Sequence, residues 1–239
     1  MRDSLQLPSK GKVYQVPLES ITVRSLKGGD EKLLSDLTLD NLEKKYLLLL
    51  KNRIKNGLPV VSGIEPEKLT LGDRLYILLW LRIQSYSAIF KAELVCQYCF
   101  EKIKVDIDLQ KIEEKTLDEN FKEPYEIVLK DGSKVNLRLF RIEDEIKVAE
   151  REKKDGTEKT YLYKLALSIV DDKSIPERID YLENLDVKDL SLIKKFHEDF
   201  DHGPKINEVA YDCPKCKEAG QLALPFRPQF LIPSGSEIN

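Results

Sequence analysis

With 239 residues, 41% of them hydrophobic, the chain has enough apolar material for one sizeable core or two small ones. Its 39 Lys and Arg face 42 Asp and Glu, and the resulting net charge of -3 excludes a global electrostatic drive toward nucleic acid or an anionic membrane. No stretch approaches an uninterrupted membrane span, and residues 1–6 hold no apolar signal core, so a protein made and kept in a cytoplasm is expected.

Along the chain, Leu7-Pro8-Ser9-Lys10-Gly11 reads as part of an irregular arm, followed by a short strand at Ile21-Thr22-Val23-Arg24. After the break at Gly28-Gly29-Asp30, the spacing of Leu33, Leu34, Leu37, Leu42, Tyr46, Leu49 and Leu50 predicts two short helices, or one kinked one, ending at Asn56-Gly57. Thr70 with Asp73 resembles a capping box, and Leu75 through Phe90, apolar nearly all round, reads as a buried central helix. Ile103, Val105, Ile107 and Leu109 alternate with charged residues, the period of a half-buried strand. A second hairpin is predicted from Tyr125-x-Ile127-x-Leu129, Asp131-Gly132 and Val135-x-Leu137-x-Leu139, with Asp-Gly supplying the turn. Residues 142–159 carry charges of both signs and read as a solvated helix with a loop at Asp155-Gly156. Residues 161–170 are a further helix candidate, and Asp186 is placed to cap a last helix bearing Leu190, Ile193, Phe196 and Phe200. Ile206, Val209 and Tyr211, then Leu222, Leu224 and Phe226, suggest a closing strand pair. The terminal Leu224-Pro225-Phe226-Arg227-Pro228-Gln229-Phe230-Leu231-Ile232-Pro233 suits neither a helix nor a central strand, and its aromatics call for a groove in this chain or in a neighbour.

Only four cysteines occur, as two C-x-x-C pairs, Cys96/Cys99 and Cys213/Cys216, each at the centre of a predicted hairpin. Two residues between ligands let both thiolates of a tight turn face one ion, so the pairs predict one tetrahedral zinc per chain. Four thiolates leave no open position for a catalytic water, which makes the ion structural. Two disulfides or four unrelated buried thiols are the alternatives, and a reducing compartment favours the metal. More than a hundred residues separate the pairs, so a large insertion must lie between the two knuckles without moving them apart.

Little else points to chemistry. His197 falls on the polar side of the last helix as a surface residue, and His202 can cap a helix or lie near the metal. No nucleophile elbow, phosphate loop or dinucleotide fingerprint occurs, and a metallohydrolase or deaminase would need an open metal position. A non-enzymatic protein is expected. A nucleic-acid-binding zinc ribbon is the alternative, with Lys102, Lys104, Lys215, Lys217 and Arg227 as its basic face, though Glu101, Asp106, Asp108, Asp212 and Glu218 interrupt it. An enzyme using a second metal outside the cysteine set is a third reading.

Six pieces occur in order: Leu7-Pro8-Ser9-Lys10-Gly11-x-x-Tyr14, Ile21-Thr22-Val23-Arg24, Glu31-Lys32-x-Leu34, His202-Gly203-Pro204, Cys213-Pro214-Lys215-Cys216 and Leu224-Pro225-Phe226-x-Pro228-x-Phe230. Together they resemble baseplate hub and hub-assembly proteins of contractile-tailed, T4-like bacteriophages. The resemblance implies a virion or assembly protein that binds other hub components, with self-association as a further option. It would act in the host cytoplasm during assembly and in the tail baseplate. The expected fold is α+β: split four-cysteine zinc-ribbon hairpins, a buried helix, and a helical and hairpin insertion. Within a single domain, residues 1–28 would form the arm and first strand, 29–92 a helical segment, 93–110 with 203–228 the ribbon halves, 111–202 the insertion and 229–239 a tail. The arm and the tail are the surfaces expected to meet partners.

Overall fold

A strand precedes the irregular stretch at residues 7–14. In a computed structural model that describes residues 2–14, 20–38, 41–54, 65–157, 160–224 and 228–231, β1 (Arg2–Gln6) pairs antiparallel with β2 (Ser20–Arg24), Leu5 opposite Ile21. Helices α1 (Gly28–Ser35) and α2 (Leu42–Ile54) follow as two separate elements, and Asn56-Gly57 lies outside the described residues.

The central helix, α3 (Leu71–Ser85), buries Ile77, Leu78, Leu79 and Leu81, but it is shorter than its apolar run suggested. The Arg82 guanidinium donates to the Ser87 carbonyl at 2.8 Å, turning the chain just past the helix, and Phe90 belongs to β3 (Ile89–Val95). β3 pairs with β4 (Lys102–Asp108) as a seven-residue hairpin whose tip carries Cys96 and Cys99. In β4, Ile103, Val105 and Ile107 are buried while Lys102, Lys104 and Asp106 are exposed, the alternation expected of a half-buried strand.

The two-residue strand β5 (Glu114–Lys115) opens the insertion, and β6 (Tyr125–Val128) with β7 (Lys134–Leu137) forms its hairpin. In the turn only Gly132 takes a positive φ, 83°, while the Asp131 carboxylate accepts from the Ser133 N–H at 2.9 Å. Helices α4 (Ile142–Asp155), α5 (Tyr161–Ser168), α6 (Ile175–Glu183) and α7 (Val187–Asp199) complete the insertion. Asp186 precedes α7 as expected, but its side chain makes no cap bond and faces Lys130 at 3.5 Å.

The chain then returns through β8 (Gly203–Pro204), which pairs with β5: Glu114 lies opposite Pro204 and Lys115 opposite Gly203. Lys205 extends this clamp, its N–H donating to the Glu113 carbonyl and its ammonium pairing with the Glu113 carboxylate, both at 2.8 Å. Both ends of the insertion are thus pinned side by side, which is how the nearly ninety residues between them fit without separating the two cysteine hairpins. β9 (Val209–Asp212) and β10 (Ala219–Leu222) form the second cysteine hairpin, and a single helical turn, α8 (Pro228–Leu231), ends the described chain.

Among the described residues two hydrophobic clusters are buried. The larger joins β1–β2, α2, α3 and both cysteine hairpins, with Leu49, Leu81, Val105 and Tyr211 among its members. The smaller packs β6–β7 against α5–α7 through Leu137, Ala166, Ile193 and Phe196. The chain is therefore α+β, and no helix among the described residues is long and apolar enough to cross a membrane.

Candidate metal centre

Each cysteine pair sits in the same local structure. The Cys96 N–H donates to the Glu101 carbonyl at 2.9 Å and the Phe100 N–H to the Cys96 carbonyl at 3.0 Å; in the second hairpin, Cys213 pairs with Glu218 at 3.0 Å and Lys217 with Cys213 at 2.9 Å. The residue after each second cysteine is left-handed, Phe100 at φ 59° and Lys217 at φ 65°. This conformation is costly for a residue with a side chain, and it reverses the chain tightly enough to turn both sulfurs of a pair inward.

The two knuckles face each other. Cys96 Sγ lies 3.8 Å from Cys216 Sγ, and Cys99 Sγ 3.8 Å from Cys213 Sγ. All four sulfurs fall within 4.8 Å of one another, so the cluster could hold a metal ion. Zn–S bonds of about 2.3 Å at tetrahedral angles would set neighbouring sulfurs about 3.8 Å apart, so the donor set and its size fit that ion. All four cysteines are free thiols, and the shortest contacts join different knuckles instead of residues of one pair.

The electrostatics prepare part of this shell. Backbone N–H groups of Cys99 and Tyr98 aimed at Cys96 Sγ draw its thiol down, and the Cys216 N–H draws Cys213 down to about 6. For Cys216 the Glu218 N–H acts the same way, but burial and the three other sulfurs outweigh it and push the thiol up to about 12. At Cys99 the Glu101 N–H and the Cys216 sulfur draw the thiol down, but burial with the Cys96 and Cys213 sulfurs raises it overall. Four thiolates crowded together repel one another, and a divalent cation relieves that repulsion.

Neither histidine joins the cluster. His202 is buried, its Nδ1–H donating to the Phe200 carbonyl at 3.1 Å, so Nε2 accepts from the Thr70 hydroxyl at 2.7 Å. It thereby holds the Thr70 side chain that precedes α3. His197 is not a surface residue: its ring stacks on Phe140 with centroids 3.9 Å apart, and Nε2 lies 3.1 Å from Ser168 Oγ. Because that hydroxyl already donates to Leu165, the imidazole is the donor.

The residues proposed as a basic face are partly neutralised. Lys104 pairs with Glu93 at 2.7 Å and Lys215 with Glu101 at 2.9 Å, while Lys102 and Lys217 are exposed and Arg227 lies outside the described residues. Among the described residues no second group of His, Cys, Asp or Glu donors is placed to share a metal.

A second cluster, which sequence reasoning did not anticipate, forms at the start of α3. Thr70 caps the helix by accepting from the Asp73 N–H at 3.2 Å, but the Asp73 carboxylate does not complete a capping box. It accepts instead from the Ser9 N–H at 2.9 Å, the Ser9 hydroxyl and the Tyr14 hydroxyl, and Tyr14 in turn accepts from the Thr70 N–H at 3.1 Å. Gly72 and Gly203 meet here: a Cβ on Gly72 would lie 2.2 Å from the His202 carbonyl oxygen, and Gly203 has φ 103°. Ser9, Tyr14, His202 and Gly203, drawn from two distant motifs, thus converge on one helix terminus. Their separation in the chain hid this; the motif spacings were the only signal.

The tail is committed within the chain as far as it is described. Phe230 and Leu231 are buried, Phe230 packs against Phe90 at 5.4 Å, and Arg82 Nε donates to the Phe230 carbonyl at 2.8 Å. Residues 228–231 form a helical turn, contrary to the extended segment expected. Residues 225–227 and 232–239 lie outside the described set.

The family model described as T4 bacteriophage base plate protein matches residues 2–226, nearly the whole chain. Neither a curated protein nor a solved structure gives a significant match.

Proposed function

The chain belongs to the T4 bacteriophage base plate protein family, and from that premise we propose that it is a non-enzymatic structural or assembly protein of the baseplate hub of a contractile tail. The family match over residues 2–226 carries the reading, and the geometry agrees with it. Four thiolates around one ion would leave no position for a catalytic water. Cys96, Cys99, Cys213 and Cys216 would bind one zinc, stapling the two halves of a split zinc ribbon on either side of the insertion. When bound, the ion supplies cross-linking energy rather than Lewis acidity. The partners would be other hub proteins, with self-association alongside, met first in the host cytoplasm and then in the virion.

Interrupting the gene in the phage that encodes the chain tests this role. Infected cells should accumulate tail parts without complete baseplates, and complementation with the intact chain should restore them. Normal, infectious tails made without the protein would refute a hub role.

A further inference from the structure

The free edge of β4 borders a groove of about 860 Å³ whose other wall is β9. Among the described residues β4 has a single strand partner, β3. At the two ends of that ladder Cys96 bonds Glu101 and Leu109 bonds Ala88, so the odd-numbered residues of β4 exchange hydrogen bonds with β3. The N–H and C=O groups of Lys102, Lys104, Asp106 and Asp108 therefore point to the open side.

Charged residues on an edge strand ordinarily discourage pairing. Here their order matters: the strand reads Lys102-Ile103-Lys104-Val105-Asp106-Ile107-Asp108, so its charges are self-complementary when two copies run antiparallel about Val105. We propose that β4 is the surface through which two copies of this chain associate, joining their hairpins into one four-stranded antiparallel sheet around a twofold axis.

In that register Lys104 lies opposite Asp106 of the partner subunit, and Lys102 opposite Asp108 of the partner subunit. Both are pairs in which the outward backbone groups exchange hydrogen bonds. Within each hairpin Lys91 already sits opposite Asp106 and Glu93 opposite Lys104, and Lys104 and Glu93 are 2.7 Å apart. The joined sheet would thus carry an alternating row: Lys91, Asp106, Lys104 of the partner subunit, Glu93 of the partner subunit. On the other face Ile103 would meet Ile107 of the partner subunit, extending the buried side of the hairpin. The signs also select the register. A slip of two residues in one direction sets Asp106 against its own copy, and in the other direction Lys104 against its own copy. The twofold makes the contact isologous and closed, so it yields a dimer and no filament.

This inference adds a second copy of the chain to the partners proposed above. It rests on β4 alone, so its failure would leave the hub reading standing. Sedimentation velocity of the full chain over a wide concentration range tests it. The wild type should show a concentration-dependent dimer that weakens with salt. Lys104→Glu or Asp106→Lys alone, each creating two like-charged contacts, should weaken association about tenfold or more. The double variant, K104E with D106K, restores opposite charges and should restore the dimer. Asp106→Pro, which deletes an outward N–H and leaves the β3 ladder intact, should abolish it without a charge swap. A wild type monomeric at every concentration, or association indifferent to both single reversals, would overturn the proposal.

Discussion

At the scale of single residues, the buried polar groups are where the structure makes its firmest demands. Asp73 is fully buried and answers three donors from the amino-terminal segment. Asp73→Ala would strand the Ser9 N–H and the Tyr14 hydroxyl away from water, and at about 1–3 kcal/mol for a stranded donor it should lower the urea midpoint markedly. A midpoint within error of wild type would remove this cluster from the account. Gly72→Ala should be worse, because its Cβ would strike backbone at His202 with no flexible side chain to yield. His197 gives a pH signature. Burial, reinforced by Lys164 and Arg138, holds it from 6.5 down to about 3. As pH falls the unfolded chain takes up the proton first, so this contribution is fully present above about pH 6.5 and is lost progressively toward pH 3, amounting to a few kcal/mol at most. His197→Gln should flatten the acid limb of stability against pH, and an unchanged slope would contradict the assignment. The sequence placed His197 on a polar helix face; the stacking on Phe140 comes from an element more than fifty residues away and leaves no local trace.

At the scale of elements, what could be read was what periodicity and turn chemistry write locally. Alternation in residues 103–107 and the two C-x-x-C turns revealed both cysteine hairpins, because a strand face and a knuckle are short-range patterns. β1 was missed because its one buried apolar residue, Leu5, declares itself only against β2. α3 was read too long because apolar content continues into β3, where Ala92 is buried within a strand instead of a helix. α6 went unnamed although Ser174-Ile175-Pro176-Glu177 carries a capping box with proline in the first turn, a signal within reach. The hairpins also yield a test. Their strands are short and their tips are closed by thiols, so Cys213→Ser should prevent folded protein from accumulating. A soluble, fully folded, metal-free Cys213→Ser protein would remove the metal from the account.

At the scale of the molecule, two hydrophobic clusters raise the question of cooperativity. The insertion is tied to the rest of the chain: the Ile142 N–H donates to the Leu69 carbonyl at 3.1 Å, the Leu117 N–H to the Pro8 carbonyl at 3.0 Å, Arg141 reaches the Val13 carbonyl at 3.2 Å, and β5 pairs with β8. We propose that the chain is a single domain, and a thermal scan should show one transition whose calorimetric and van't Hoff enthalpies agree. Two resolved transitions would divide it. A net charge of -3 and lysines beside the knuckles that pair with Glu93 and Glu101 leave no pronounced basic field, in keeping with a base plate component that meets other proteins. The most direct measurement is metal content together with native mass of the purified full-length protein, by elemental analysis and native mass spectrometry. One zinc per chain, retained in the folded species and lost together with the fold on chelation, is the predicted result; folded protein without metal, or with an ion shared between chains, would contradict the split ribbon.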